Sequence, residues 1–211
     1  MHPEADEHQE TSLSAGEKTR LLRLARESLA DLLGEAPAGP EAAETPRPPE
    51  ALQAQRGCFV SLHTGSRLRG CIGTLSSTTP LFETVPRLAR AAAAQDYRFA
   101  PVTARELEDL RIEISVLGPL VAIDSLDRIQ VGRHGLVVGR GECRGVLLPQ
   151  VAAAENWDAE TFLSRTCAKA GLPAGCWRAW AAGRDRDLKV EIFTAQVFAE
   201  DEEDEPPDSP R

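Results

Sequence analysis

Apolar residues recur at helical spacing from Leu21 through Leu22, Ala25, Leu29, Leu32 and Leu33. Ser14 stands three residues ahead of Glu17 as a capping box, and Gly34 is a natural stop, so the pattern predicts a helix between them. Between Glu35 and Glu50 five prolines (Pro37, Pro40, Pro46, Pro48 and Pro49) break every period, and an extended loop is expected there. Alternation of apolar and polar positions then takes over. Arg56 to His63 and Arg67 to Leu75 read as two strands joined by the turn Thr64-Gly65-Ser66, a β-hairpin.

The alanine-rich stretch up to Gln95 reads as a helix starting near Thr84, because Pro86 is tolerated in a first turn and not in a helix interior. Thr103 and Glu106 form a second capping box for a short helix, and Leu110 to Leu117, with Ile112, Ile114 and Val116 on one face, reads as a half-buried strand. From Leu120 to Leu148 short apolar runs alternate with turn signals, the pattern of a small antiparallel meander and of a second, smaller subdomain at about 120–150. Asp158 caps a predicted helix from Ala159 to about Ala170, closed by Gly171. Leu188 to Phe198 reads as one last strand returning to an earlier sheet. The fold class expected from these elements is α+β.

Composition adds limits. At 211 residues a sizeable core needs no covalent staples. The five cysteines (Cys58, Cys71, Cys143, Cys167 and Cys176) are odd in number, lack CxxC spacing and follow no secretory signal, so a reducing, cytoplasmic setting with free thiols is expected. No apolar run is long enough to cross a bilayer. The net charge of -9 is concentrated in residues 1–10 at -4 and residues 201–211 at -5, leaving the rest neutral. Residues 1–11 and 201–211 are thus expected to be solvated acidic tails flanking a domain over 12–200. A neutral domain lacks the basic footprint of a general nucleic-acid binder.

The unusual stretch is Leu68-Arg69-Gly70-Cys71-Ile72-Gly73, where two glycines interrupt a strand at a cost in stability. In a regular strand Arg67, Arg69 and Cys71 share one face, and a guanidinium neighbour favours the reactive thiolate. Gly70 and Gly73 would let a ligand or another backbone approach closely. The competing reading makes Cys71 a small buried hydrophobe and the glycines the mark of a bulge. No histidine adjoins Cys71 in sequence, so a Cys-His pair would draw on His63 or His134. Cys58, Cys71, Cys143, His63 and His134 are too scattered for a typical zinc site, and neither metal nor cofactor is expected. Trp157, Trp177 and Trp180 read as core or interface anchors.

Five motifs occur in an order that resembles the AMMECR-domain family: L-R-G-C-I-G at 68–73, D-Y-R-F at 96–99, E-I-S-V-L at 113–117, G-R-H-G-L at 132–136 and L-P-Q-V-A at 148–152. The resemblance spans roughly Leu13 to Glu200. It implies larger and smaller subdomains built on mostly antiparallel sheets flanked by helices, closely packed around a cleft near the L-R-G-C-I-G segment. Some bacterial and archaeal members are called AmmeMemoRadiSam system protein A, a name implying Memo-like and radical SAM partner proteins. The chain departs from the family pattern at Tyr97, where proline is usual, and at Pro86, which implies a shortened helix. Carried over by position, the candidates are Arg69, Gly70, Gly73, Asp96 and Arg98 for binding, with Cys71, Glu113 and His134 for chemistry. Two functions follow from them. One is a binding or accessory module recognising a peptide, small molecule or partner protein. The other is an enzyme with Cys71 as nucleophile or redox thiol, Arg69 and Arg98 orienting an anionic substrate, and Glu113 or His134 moving protons.

Overall fold

Ser14 and Glu17 cap each other as their spacing predicts, and they open α1, Ala15–Leu33, which ends where Gly34 turns left-handed at φ 77°. The computed structural model describes residues 12–35 and 47–200. The two acidic tails and most of the proline-rich loop lie outside the described residues. The described residues form two compact units, the first of residues 12–35, 47–116 and 196–200, the second from Leu117 to Ala195.

The first unit is a four-stranded sheet with helices on one face. β1 (Cys58–Thr64) and β2 (Arg67–Thr74) form the predicted hairpin around Gly65, and β1 also pairs antiparallel with β3 (Leu110–Leu117). The strand order is β2-β1-β3-β8, with β8 at Ala195–Ala199, so β2 is an edge strand. Cys58, Val60 and Leu62 of β1 and Ile112, Ile114 and Val116 of β3 point into a core shared with Leu21, Ala25 and Leu29 of α1 and with the buried face of α2.

Helix α2 runs Leu81–Ala94, starting before the expected Thr84 and leaving Pro86 in its interior. The extended Pro80 acts as its N-cap, and the Leu81 N–H is taken by the Ala54 carbonyl, so the first turn is satisfied ahead of Thr84. Pro86 therefore does not shorten the helix, and its carbonyl accepts from the Ser28 hydroxyl at 3.1 Å. Thr103 and Glu106 cap a 3-10 turn, Ala104–Asp109, where a short helix was expected.

The second unit has its own sheet, ordered β4 (Val121–Ala122), β7 (Lys189–Phe193), β5 (Gly135–Arg140) and β6 (Cys143–Leu147), with α3 (Pro149–Ala154), α4 (Ala159–Lys169) and α5 (Trp177–Ala181). Its core gathers Leu136, Val138, Phe162, Leu163, Trp177 and Val190. The unit extends well past the expected 120–150, because the predicted last strand is two strands. Lys189–Phe193 inserts between β4 and β5, and after Thr194 the chain joins the first sheet as β8. Along Leu188 to Phe198 the apolar positions switch from even (Leu188, Val190, Ile192) to odd (Phe193, Ala195, Val197), and the change of sheet follows that break of phase. The fold is α+β, with antiparallel sheets flanked by helices. No helix among the described residues is long and apolar enough to cross a membrane.

Candidate functional site

Cys71 owes its position to one extra residue. Counting outward from the turn, Thr64 pairs with Arg67 and His63 with Leu68, but Leu62 pairs with Gly70, so Arg69 is a bulge. Without it Cys71 would stand opposite Val60, on the core side. With it Cys71 stands opposite Ser61, on the face turned away from α1 and α2. The same shift separates the faces of Arg67 and Cys71, which a regular strand would have united. Ser61 also pairs with Glu113 on β3, so Cys71, Ser61 and Glu113 lie side by side across three strands. The Ser61 hydroxyl donates to the Cys71 sulfur at 3.2 Å.

The outer edge of β2 at Cys71 is occupied by Asp96 and Arg98, which act as a substitute strand. Asp96, 2% exposed in its side chain, accepts from the Cys71 N–H at 2.9 Å, while Arg98 Nη2 donates to the Cys71 carbonyl at 3.3 Å. Arg98 also clasps the Asp96 carboxylate through Nε at 2.9 Å and Nη2 at 2.6 Å. The Arg98 hydrogen bond is the main cause holding the Asp96 carboxyl well below the usual carboxylate range, against burial, with the Cys71 N–H adding to it. The exposed Tyr97 takes no part in the clamp, so its place in the motif leaves the Asp96–Arg98 geometry intact.

Arg69 looks inward to the chain. Its Nε donates to Glu106 at 2.7 Å, Nη1 to the Ala100 carbonyl at 2.7 Å, and Nη2 to the Pro101 carbonyl at 3.1 Å. The Arg69 bond lowers the Glu106 carboxyl to about 2, with the Thr103 N–H the next contributor. A guanidinium fully engaged this way is a strap between β2 and the 100–106 segment, not the free cation expected beside a thiolate.

The two glycines leave room for the protein itself. A Cβ at Gly70 would fall 2.2 Å from the Ala92 carbonyl oxygen of α2, and one at Gly73 would fall 2.1 Å from the ring of Phe59, its cross-strand partner. Of the two approaches expected, Gly70 thus admits another backbone, and Gly73 admits an aromatic side chain instead of a ligand.

His134 lies in the second unit, buried, where its Nδ1 accepts from the Gln130 N–H at 3.2 Å and its own N–H donates to the Gln130 carbonyl at 2.8 Å. It closes the turn before β5. Cys58 faces the first core, where burial pushes its thiol up to about 12, and Cys143 is exposed at the β5–β6 turn of the second unit. The tryptophans are anchors, Trp177 and Trp180 buried in the second core and Trp157 packed against it. Sequence reasoning missed Ser61, the partner of the thiol, and Glu106 as the partner of Arg69. Ser61 becomes visible only once the bulge sets the register.

A protein of Thermofilum pendens is 41% identical over 205 residues, covering 89% of this chain and 92% of its own length. Protein MJ0810 of Methanocaldococcus jannaschii is 41% identical over 160 residues, covering 72% and 77% respectively. The crystal structure of uncharacterized protein PH0010 from Pyrococcus horikoshii superposes with a TM-score of 0.78 at 38% identity, over 90% of this chain and 94% of that one. The family model described as AMMECR1 matches residues 22–198, a span that takes in both sheets and the glycine-flanked cysteine. The chain belongs to the AMMECR1 family.

Proposed function

We propose that this chain is a binding or accessory component working with Memo-like and radical SAM proteins, and that the L-R-G-C-I-G segment serves it by presenting Cys71, Ser61 and Glu113 on one sheet face. The observation that carries this reading is that the charged groups nearest Cys71 are bonded to the chain itself. Arg69 is bonded to Glu106 and two carbonyls, and Arg98 to Asp96 and the Cys71 carbonyl. A backbone fixed at both its N–H and its C=O loses little further freedom when a partner docks, which favours recognition. The kind of partner comes from the family resemblance.

A second reading draws support from one contact. The Ser61 hydroxyl donating to the Cys71 sulfur holds that sulfur on the face it shares with Glu113, so the contact favours Cys71 as nucleophile or redox thiol on a small anionic substrate, with Glu113 to move protons.

Binding of the purified full chain to a Memo-like protein and a radical SAM protein from the same genome separates the readings. Recognition predicts that Cys71→Ser binds within about twofold of wild type, while Glu113→Arg loses about tenfold or more with an unchanged circular dichroism spectrum. Wild-type chain that binds neither protein overturns the partner assignment. Cys71→Ser that binds normally but abolishes a turnover of the complex moves the site to thiol chemistry.

A further inference from the structure

The face of the first sheet turned away from α1 and α2 carries polar groups that the fold leaves without partners. Register puts Ser61 and His63 of β1 on it together with Arg111 and Glu113 of β3, because Val60, Leu62, Ile112 and Ile114 alternate with them and point into the core. His63 stands opposite Arg111 and Ser61 opposite Glu113, so His63 and Glu113 are diagonal neighbours, about 7–8 Å apart. The His63 Nε2 is buried and has no hydrogen-bond partner, a state that a bound group would relieve. Glu113 is half-buried and makes neither an ion pair nor a side-chain hydrogen bond among the described residues. Arg111, the other charge on this face, donates its Nε to the Glu200 carbonyl at 3.0 Å. The Ser61 hydroxyl gives its proton to the Cys71 sulfur, so what it offers a ligand is its lone pairs.

We propose that this face binds a guanidinium group, presented by an arginine side chain of the protein that docks on it. The proposal rests on the reading of the face as a recognition surface and adds the group it recognises. The unpartnered atoms are acceptors: two carboxylate oxygens of Glu113, the lone pairs of the Ser61 hydroxyl, and an imidazole, whose unprotonated nitrogen accepts. A guanidinium carries five N–H donors and no acceptor in a planar fork, so it takes both oxygens of a carboxylate and still has donors for a second group. An ammonium has three donors and no fork. The sign follows from the charges already present. The two arginines nearest Cys71 are bonded to Glu106, Asp96 and backbone carbonyls, and Glu113 is the one charge on this face without a counter-ion among the described residues. An anion would meet that carboxylate beside guanidinium groups already engaged, whereas a cation neutralises it. Glu113 and Cys71 keep partial exposure, so a side chain can reach the face from solvent.

The test is a nuclear magnetic resonance titration of the full chain with the peptide acetyl-Gly-Arg-Gly-amide. The expected result is saturable shifts of the Ser61, His63 and Glu113 amides with a Kd of about 1–10 mM, the range open to a ligand of so few atoms. The same peptide with citrulline, which keeps the shape and loses the charge, should bind about tenfold more weakly, and acetyl-Gly-Glu-Gly-amide should not bind. Glu113→Gln should lose about tenfold for the arginine peptide with an unchanged circular dichroism spectrum, and His63→Phe about threefold. Equal binding of the citrulline or glutamate peptide, or no shift on this face at about 50 mM arginine peptide, overturns the proposal without needing any variant to fold. An arginine peptide that binds the face but does not compete with a docked partner protein overturns the assignment of the guanidinium to that partner. The titration uses no partner protein. Peptide binding by a chain that holds neither a Memo-like nor a radical SAM protein therefore keeps the guanidinium site and removes those two partners alone.

Discussion

Asp96→Asn strikes the clamp at its centre. Each carboxylate oxygen serves two donors, Oδ2 the Cys71 N–H and Arg98 Nη2, and Oδ1 the Arg98 N–H and Nε. An asparagine keeps the shape and one acceptor, so whichever way it turns its NH2 group faces two donors. A hydrogen bond to a charged group contributes about 1.5–3 kcal/mol, and two are lost at a buried position. Arg98 is 45% exposed, so water recovers part of its share, and the net destabilisation is about 2–4 kcal/mol. The pH dependence has a definite sign. The folded carboxyl titrates below its unfolded value of about 3.9, so the unfolded chain takes up the proton first as pH falls. The stabilisation is complete above about pH 5 and is lost as pH falls towards the folded value, so the gap between wild type and Asp96→Asn narrows in acid. Urea unfolding followed by far-UV circular dichroism measures it. Tryptophan fluorescence is the wrong probe, since Trp157, Trp177 and Trp180 all lie in the second unit. Amide hydrogen exchange at Cys71 gives the local readout. A gap under about 0.5 kcal/mol at neutral pH, or an equal gap at about pH 3, would refute the reasoning.

Gly70→Ala pushes a Cβ into the α2 backbone and is expected to cost about 3 kcal/mol, whereas Gly73→Ala meets a Phe59 ring that can turn aside and costs about 1–2 kcal/mol; thermal unfolding checks the order, and a reversed order refutes it. Iodoacetamide on the native chain at about pH 8 is expected to label exposed Cys143 first and to spare Cys58 and Cys167, whose thiols burial pushes up to about 12, until the chain unfolds. Mass mapping that finds early labelling of Cys58 overturns the core placement of that residue.

Local signals were legible where one side chain meets one backbone group. Ser14 with Glu17, Thr103 with Glu106 and Asp158 with Thr161 all form the caps their spacing announces. Elements whose bounds depend on distant partners were not. By sequence Pro86 reads as a first-turn residue, yet the start of α2 is set by the Ala54 carbonyl and by Pro80. The change of sheet between β7 and β8 follows a break of phase at Ile192-Phe193, but that break does not record which sheet each strand joins. At the site, the family resemblance singles out Asp96 and Arg98 only as binding candidates, and their hold on the Cys71 peptide joins positions 25 apart in sequence. The Arg69 bulge was the decisive loss, because a one-residue shift exchanges the two faces of a strand and with them the surroundings of Cys71.

That shift also sorts the L-R-G-C-I-G segment into what packing requires and what it does not. Arg69 is needed as the strap to Glu106, Gly70 for the close approach of α2, Ile72 against the first core, and Gly73 beneath Phe59. Cys71 contributes its N–H and C=O to the clamp, and any residue but proline supplies an N–H. Its sulfur meets only the Ser61 hydroxyl among the hydrogen bonds described, a contact that a serine at 71 would also make. Folding therefore leaves the identity of the side chain at 71 free, as it does that of the exposed Leu68. Cys71→Ser and Cys71→Ala should fold with near wild-type stability, and any loss they cause in binding or turnover belongs to function. The reverse holds for Gly70→Ala, whose functional loss must follow its loss of stability, so measuring both quantities for these variants distinguishes a working sulfur from a well-packed strand.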